Sequence, residues 1–285
     1  MESVLTIAGS DSGGGAGIQA DLKAFSALGA FGISVVTAVT AQNTRGVQGV
    51  YDVSPEGVRN QLESVFSDFD IKASKTGMLF SRDIIEVVVE EVQKYHGKTD
   101  GNGKAGKVGK VDPGEFKLIV DPVSVSTSGD LLLQHDAIQV LVEKLFPISL
   151  LITPNLLEGQ ELAEMEIDSF AKMEKGAEVL IDKGANNVLL KGGHLKSEAE
   201  SEKFAFDLLV TKDKKKVWFK EKRFDLGPLH GTGCTLSAAI CALLGRDYEL
   251  EEAIDAGKKY THTAIWQGFF PGGGARVLNF FHDLS

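Results

Sequence analysis

The sequence predicts an α/β fold with a largely parallel central sheet. Two observations indicate this class: short apolar segments typical of buried strands alternate with segments of helical apolar spacing, and no internal repeat interrupts them. Hydrophobic residues make up 43% of the 285 residues, which is enough for a sizeable core. We therefore expect one domain over residues 1–285, with an exposed insertion at about 97–115 that is rich in glycine and lysine.

Three strand–helix units are predicted in the first half of the chain. The strands, at 3–9, 31–41 and 73–79, are short, rich in β-branched residues and followed by polar or glycine-rich turns. The first helix covers about 18–28 and stops at Gly29, the second begins at Ser54-Pro55-Glu56, and the third is capped by Ser81. Each unit can therefore add one parallel strand to the sheet.

The second half continues the alternation and then departs from it. Strands are predicted at 116–120, 150–153 and 187–190, with helices at 135–146, from Asn155 onward, and at 169–183. Residues 203–225 alternate between apolar and polar side chains, which predicts an antiparallel pair around a charged turn. Two last helices are predicted at 234–244, ending at Gly245, and at 250–269.

The charge balance excludes some classes of partner. The formal net charge is −10, and the densest group of cations, between Lys212 and Arg223, fits a solvated hairpin better than a nucleic-acid surface. The N-terminus lacks the basic start of a signal peptide, and no uninterrupted apolar run reaches about 18 residues. We therefore expect a cytoplasmic protein with neither nucleic-acid nor membrane partners.

Two cysteines, Cys234 and Cys241, are seven residues apart on the helix predicted at 234–244. A helical rise of ~1.5 Å per residue separates their Cα atoms by about 10 Å, whereas a disulfide needs less than about 7 Å. Both are therefore predicted to be free thiols, which is typical of a reducing compartment.

The segment His230-Gly231-Thr232-Gly233-Cys234-Thr235 joins a polar loop to the start of that helix. The first N–H groups of a helix have no partner within it, and the helix dipole adds partial positive charge there. Glycines at 231 and 233 allow close approach of a ligand, so the loop is a candidate phosphate site with a thiol at its edge. The alternative is an ordinary helix entry in which Cys234 is a small buried hydrophobic residue.

A second glycine-rich loop follows the first strand. Its glycines at 13, 15 and 17 are wrongly spaced for the dinucleotide-binding pattern G-x-G-x-x-G. The position where such a site needs an acidic residue holds Gln42 and Asn43 instead. We therefore reject a dinucleotide-dependent dehydrogenase and keep the loop as a binding loop.

Polar side chains also follow several predicted strands. Gln42 could read a ligand or serve as a turn residue, and Asp121 could meet a cation at a site or in a structural salt bridge. Asn155 and Glu158 could orient a metal-bound water, or form an N-cap with its capping-box partner. Because the carboxyl ends of parallel strands share one edge of a sheet, these turns should meet beside residues 230–235.

Taken together in this order, the motifs resemble the hydroxymethylpyrimidine and phosphomethylpyrimidine kinases of thiamine biosynthesis, in the ribokinase-like superfamily. The resemblance covers almost the whole chain except the insertion. The matching segments are Leu5 to Gly14, Ala16 to Lys23, Ala41 to Gln48, Lys75 to Leu79, Asp121-Pro122-Val123, Thr153-Pro154-Asn155 with Glu158, Lys191 to His194, and His230 to Thr235. It implies a three-layer fold with helices on both faces of the sheet.

On the substrate side, the resemblance implies that Gln42 reads the pyrimidine edge. An amide suits this role because it offers both a donor and an acceptor to a ring nitrogen and an exocyclic amine. Asp21, Gly9 and Val123 would line the same pocket, and Met78 would lie against the ring.

On the phosphate side, the resemblance implies ATP and Mg²⁺ as cofactors. Asp121 and Glu158 would hold the metal and its waters, with Asn155 and Lys191 at the nucleotide phosphates. Gly231, Thr232, Gly233 and Cys234 would form the anion hole, with Thr232 also contacting the nucleotide. Cys234 would be the base, since a thiol at a helix N-terminus is expected to have a depressed pKa.

The implied activity is ATP-dependent phosphorylation of 4-amino-5-hydroxymethyl-2-methylpyrimidine and then of its monophosphate. The alternatives are a pyridoxal or pyridoxine kinase of the same fold, and a non-catalytic vitamin-binding relative. The phosphate-handling residues count against the last, because binding alone would not need them. We expect a homodimer.

Overall fold

The computed structural model describes residues 1–98, 116–123, 135–193, 195 and 199–282. Its strands are β1 (Ser3–Asp11), β2 (Phe31–Asn43), β3 (Gly46–Asp52), β4 (Ile71–Thr76), β5 (Lys117–Val120), β6 (Leu151–Ile152), β7 (Asn187–Lys191), β8 (Phe204–Thr211), β9 (Lys216–Lys222), β10 (Leu229–His230) and β11 (Arg276–Val277). Its helices are α1 (Gly17–Ala27), α2 (Pro55–Asp68), α3 (Arg82–Lys98), α4 (His135–Val140), α5 (Leu156–Ala163), α6 (Phe170–Asp182), α7 (Thr232–Gly245) and α8 (Leu250–Trp266).

The described residues form a nine-stranded sheet in the order β3-β2-β1-β4-β5-β6-β7-β8-β9. The pairs from β2 through β7 are parallel, and β3, β8 and β9 add antiparallel strands at the two edges. The predicted α/β class with a mostly parallel sheet is therefore confirmed. β1 lies between β2 and β4, so the connections leave it in opposite directions and open a crevice at its carboxyl end, where such sheets bind ligands.

Two apolar cores separate the sheet from its helices, one on each face. α1, α7 and α8 pack on one face, and α2, α3, α4 and α6 cover the other. This confirms the three-layer arrangement. α7 is buried from Thr235 to Gly245, which explains why its sequence is apolar all round instead of amphipathic.

Three features differ from the sequence-based predictions. β2 continues through Gln42 and pairs with β3, a hairpin strand that the sequence analysis missed. The helix predicted at 135–146 is regular only to Val140 and continues as a π-helical turn and a 3₁₀ turn to Ile148. β10 and β11 form a small separate pair.

The insertion predicted at about 97–115 falls mostly on residues 99–115, outside the described part of the chain, as does His194. A single domain over 1–285 stays a prediction. In the described residues, no helix combines the length and the apolar composition needed to cross a membrane.

Candidate functional site

The predicted strand-end residues meet at one edge of the sheet because β1, β2 and β4–β7 all run the same way. Asp121 follows β5, Lys191 ends β7, and Gln42 is near the end of β2. The N-terminus of α7 lies at the same edge, so Lys191 comes within reach of Gly233. This edge is the candidate active site.

Asp121 and Lys191 form an ion pair beneath the first turn of α7. Lys191 Nζ is 3.0 Å from Asp121 Oδ1, which also accepts from Thr153, and Ser237 of α7 donates to Oδ2 at 3.1 Å. Burial acts to raise the pKa of Asp121, but the attraction of Lys191 and Lys75 outweighs it and holds the pKa below its ordinary value. Asp121 is therefore an anion held by cations and hydroxyl donors, which leaves its carboxylate in a fixed orientation.

Asn155 and Glu158 form a capping box at the start of α5. The Asn155 side chain accepts from the Glu158 N–H at 3.0 Å, and Glu158 Oε2 accepts from the Asn155 N–H at 2.7 Å. This confirms the alternative reading of the pair as helix cap and partner. Glu158 is nonetheless unusual: burial raises its pKa to about 7, with Lys191 opposing the shift and Asp121 adding to it. Contact of Asn155 with a nucleotide stays a prediction.

The first turn of α7 offers backbone donors and close packing. Gly231 caps the helix at φ 87°, and a Cβ there would lie 1.8 Å from the Gly15 carbonyl oxygen, so only glycine fits. No side chain in the described residues caps this turn, and it contains no acidic residue. A Cβ on Gly233 would lie 3.2 Å from Lys191 Nζ. Free N–H groups and an ammonium group therefore converge at the half-buried Thr232 and Gly233, as an anion requires.

Cys234 lies in this turn, but its predicted low pKa is wrong for this structure. Burial raises the pKa of the thiol to about 11, although Lys75 opposes the shift. The helix dipole acts only over a short range, and here the loss of solvent around the sulfur dominates. Cys234 and Cys241 are both free thiols, as predicted.

Asp21 and Lys75 form a second ion pair behind the site. Lys75 Nζ is 3.0 Å from both carboxylate oxygens of Asp21, Thr6 donates to Oδ2 at 2.6 Å, and both ionic side chains are 0% exposed. Burial acts to lower the pKa of Lys75, but the attraction of Asp21 outweighs it and raises the pKa. The carboxylate of Asp21 is therefore paired with Lys75 and enclosed in the protein. Contact of Asp21 with a substrate stays a prediction.

Gly9, Met78 and Gln42 lie on the other side of the crevice. A Cβ on Gly9 would lie 3.3 Å from the Met78 methyl carbon, so the Met78 side chain packs on the Gly9 backbone. Val123, half-buried, follows Asp121 and donates its N–H to the Asp121 carbonyl oxygen at 2.8 Å. The amide of Gln42 contacts Thr40 and His230 at 2.9 and 3.1 Å.

Asp11 and His230 form a pair in the site that the sequence analysis did not predict, although it placed His230 in the candidate phosphate loop. Asp11 accepts from the N–H groups of Gly13, Gly15 and Ala16, and His230 Nε2 lies 3.0 Å from its Oδ2. Burial acts to raise the pKa of Asp11, but the bonds from His230 and the backbone hold it below its ordinary value. This carboxylate therefore joins the glycine loop after β1 to the loop before α7.

The donor set at this edge fits a magnesium ion held together with phosphates. No group of three or more His, Cys, Asp or Glu side chains in the described ranges could hold a metal alone. Mg²⁺ usually binds through one or two carboxylates, waters and substrate phosphates, and Asp121 and Glu158 supply that number. Burial is the main cause of the raised pKa of Glu158, and the charge of Asp121 adds to it, so a nearby cation would stabilise the ionised form.

Comparisons with known proteins identify the family of the chain. A family model for phosphomethylpyrimidine kinase matches residues 11–99 and 108–279. A hydroxymethylpyrimidine/phosphomethylpyrimidine kinase of Rhizobium meliloti is 48% identical over 92% of this chain and 89% of its own length.

Solved structures show the same relationship. The crystal structure of phosphomethylpyrimidine kinase from Clostridium difficile is 40% identical, with a TM-score of 0.75 over 93% of this chain and all of that one. The ADP complex of Bacillus subtilis pyridoxal kinase is 30% identical, with a TM-score of 0.82 over 98% and 97% of the two chains. The chain therefore has a ribokinase-like fold and belongs to the phosphomethylpyrimidine kinase family.

Proposed function

We propose that this protein transfers the γ-phosphoryl group of ATP to 4-amino-5-hydroxymethyl-2-methylpyrimidine and then to its monophosphate, as a kinase of thiamine biosynthesis. One observation carries the proposal: the Asp121–Lys191 pair lies under the uncapped first turn of α7, at the same sheet edge as Gln42. The names of the relatives agree with it. Assembly as a homodimer in the cytoplasm stays a prediction.

Each group at this edge has a role in phosphoryl transfer. Lys191 and the N–H groups of Gly233 and Cys234 neutralise negative charge on the transferred phosphoryl group. Asp121 and Glu158 would hold Mg²⁺, which supplies charge neutralisation at the phosphates when bound. The substrate hydroxyl oxygen bonds to phosphorus as ADP leaves, and Cys234 receives the hydroxyl proton. In the second reaction, a phosphate oxygen of the monophosphate bonds to the γ-phosphorus of a second ATP as ADP leaves.

The activity can be tested by incubating the protein with ATP, Mg²⁺ and the pyrimidine while ³¹P NMR follows the products. We expect the monophosphate first and then the diphosphate, with two ADP formed per pyrimidine. Pyridoxal is the comparison substrate, because the pyridoxal kinase fold superimposes over nearly the whole chain. Phosphorylation of pyridoxal alone would reverse the assignment in favour of a pyridoxal kinase.

Replacing Gln42 with methionine should weaken pyrimidine binding by about 1–3 kcal/mol, because the ring would lose its amide partner while remaining desolvated. Use of pyridoxal should suffer less. Steady-state KM values for both substrates measure the effect, and Gln48→Met, on the same hairpin, is the matched control because Gln48 is exposed. An equal rise in KM for both substrates would show that Gln42 does not recognise the pyrimidine ring.

Replacing Asp121 with asparagine should raise the Mg²⁺ concentration for half-maximal rate at least about tenfold, since metal sites lose this much even when a supporting residue changes. Pyrimidine affinity without nucleotide should change less. The control is Glu91→Gln, which alters a buried carboxylate paired with Arg59 and Lys94 away from the site. An unchanged Mg²⁺ dependence would assign Asp121 a structural role.

A further inference from the structure

Hydrogen bonds link the side chains of Asp11, His230 and Thr40 to Gln42, whose amide is proposed to read the substrate. His230 Nε2 lies 3.0 Å from Asp11 Oδ2 and 3.1 Å from the amide nitrogen of Gln42. The amide oxygen of Gln42 lies 2.9 Å from Thr40 Oγ1, and that hydroxyl lies 2.9 Å from the Ser10 carbonyl oxygen. The positions of the protons in these hydrogen bonds decide whether the amide oxygen or the NH₂ group of Gln42 points toward His230, and so which edge of the amide faces a ligand.

The proton on His230 is fixed by Asp11. A carboxylate only accepts hydrogen bonds, and Asp11 already accepts three from backbone N–H groups, as an ionised group does. Its lowered pKa, which the bond from His230 helps to cause, agrees with an ionised state. Nε2 of His230 must therefore carry a proton and donate it, whether the ring is neutral or charged.

A protonated Nε2 cannot accept a hydrogen bond from the NH₂ group of Gln42. At the other end of the amide, the single hydroxyl proton of Thr40 faces two acceptors, the Ser10 carbonyl and the amide oxygen. Turning the amide by half a rotation removes the contact between two donors at His230 and the surplus acceptor at Thr40. Its NH₂ then donates to Thr40, Thr40 donates to Ser10, and its oxygen faces the Nε2–H of His230, which Asp11 and Gln42 share as a three-centre hydrogen bond.

The ring of His230 is also held in place. A Cβ on Gly15 would lie 2.6 Å from its Cδ2, so the ring packs directly on the glycine loop. The backbone of His230 pairs with Val277 through β10 and β11, and its side chain is 14% exposed. The packing and the backbone pairing therefore fix the position of the His230 Nε2–H group.

We propose that His230 is a positioning residue that fixes the orientation of the Gln42 amide and so sets the selectivity of the pocket for an aminopyrimidine. With its inner oxygen lone pair and inner N–H engaged by His230 and Thr40, the amide keeps one carbonyl lone pair and one N–H free on its outer edge. On that edge the carbonyl oxygen can accept from an exocyclic amine and the N–H can donate to the neighbouring ring nitrogen. The reversed amide would place its N–H against the amine and its oxygen against the ring nitrogen. The inference rests on the proposed function for the identity of the ligand.

The variant that tests it is His230→Leu, which removes the donor. We expect KM for the pyrimidine to rise about 3- to 10-fold, the usual worth of one hydrogen bond, with kcat within about twofold. His230→Gln should restore most of the loss, because its side-chain NH₂ can donate to both Asp11 and Gln42. His262→Leu is the control, since His262 bonds the Lys222 carbonyl away from the site.

A double variant separates positioning from general support of the loops. If His230 acts through Gln42, His230→Leu should add nothing to KM in a Gln42→Met background. Equal effects of His230→Leu in both backgrounds would overturn the proposal.

A spectroscopic measurement is independent of activity. Long-range ¹H–¹⁵N spectra of histidine-labelled wild-type protein should show the His230 proton on Nε2. A neutral ring protonated only on Nδ1 would also overturn the proposal, whatever substrate the protein proves to use.

Discussion

Replacing Cys234 with alanine should lower the turnover number of the first phosphorylation about 10²- to 10⁴-fold, the usual contribution of general-base catalysis. In the proposed reaction the thiolate accepts the proton of the substrate hydroxyl, beside the N–H groups that receive the phosphoryl charge. Those N–H groups belong to the backbone, so nucleotide binding should survive the substitution. Turnover with saturating pyrimidine and ATP, and the nucleotide Kd measured separately, test the two statements.

The raised pKa of Cys234 gives this prediction a pH dependence. With a pKa of about 11, only about one thiol in 10⁴ is ionised at pH 7, and this fraction rises tenfold per pH unit. The deprotonated form is the base, so wild-type turnover in the first step should rise steeply from pH 7 to 9. The second step starts from a phosphate with a pKa of about 6, largely ionised already, and should be nearly flat over this range.

Cys241 is the matched control in the same helix. Its side chain is fully buried, and burial raises its pKa above its ordinary value. Cys241→Ala should leave turnover and its pH profile unchanged, and alkylation of Cys241 should be slow. If Cys234→Ala keeps wild-type turnover and the same pH slope, the thiol is not the base, and the anion hole alone explains catalysis.

The sequence was sufficient for most of the fold because its main determinants are local. Periodicity identified the strands of the parallel sheet, and the order of turns placed Gln42, Asp121 and Lys191 at one edge. β3 was missed because its residues, Gly46–Asp52, are half-buried or exposed and include two glycines, which weakens an alternating pattern.

The site was less predictable where its chemistry depends on tertiary contacts. Asp11 and His230 are 219 residues apart, and no local pattern indicates that they bond. The helix N-terminus that should lower the pKa of Cys234 is visible in the sequence, but the burial that reverses the effect is not. Asn155 and Glu158 show the opposite case, since a capping box is encoded within four residues.

Replacing Lys75 with methionine should lower the free energy of unfolding by about 3–5 kcal/mol, the cost typical of removing one partner from a buried ion pair. Lys75 and Asp21 are both 0% exposed, and methionine would leave the Asp21 carboxylate without its cation and without access to water. The loss of charge matters more than the change in shape, because methionine is close to the lysine stem in length. Urea denaturation of the two proteins measures the difference.

Lys72 is the matched control on the same strand, because its salt bridge with Asp70 is exposed to solvent. Lys72→Met should cost less than about 1 kcal/mol, as surface ion pairs usually do. Asp21→Asn should also be destabilising alone, since it leaves the ammonium group of Lys75 buried. The double variant should then cost clearly less than the sum of the two single variants, because no isolated charge remains. Additive losses, or a Lys75→Met protein as stable as Lys72→Met, would show that the pair contributes little as an ion pair.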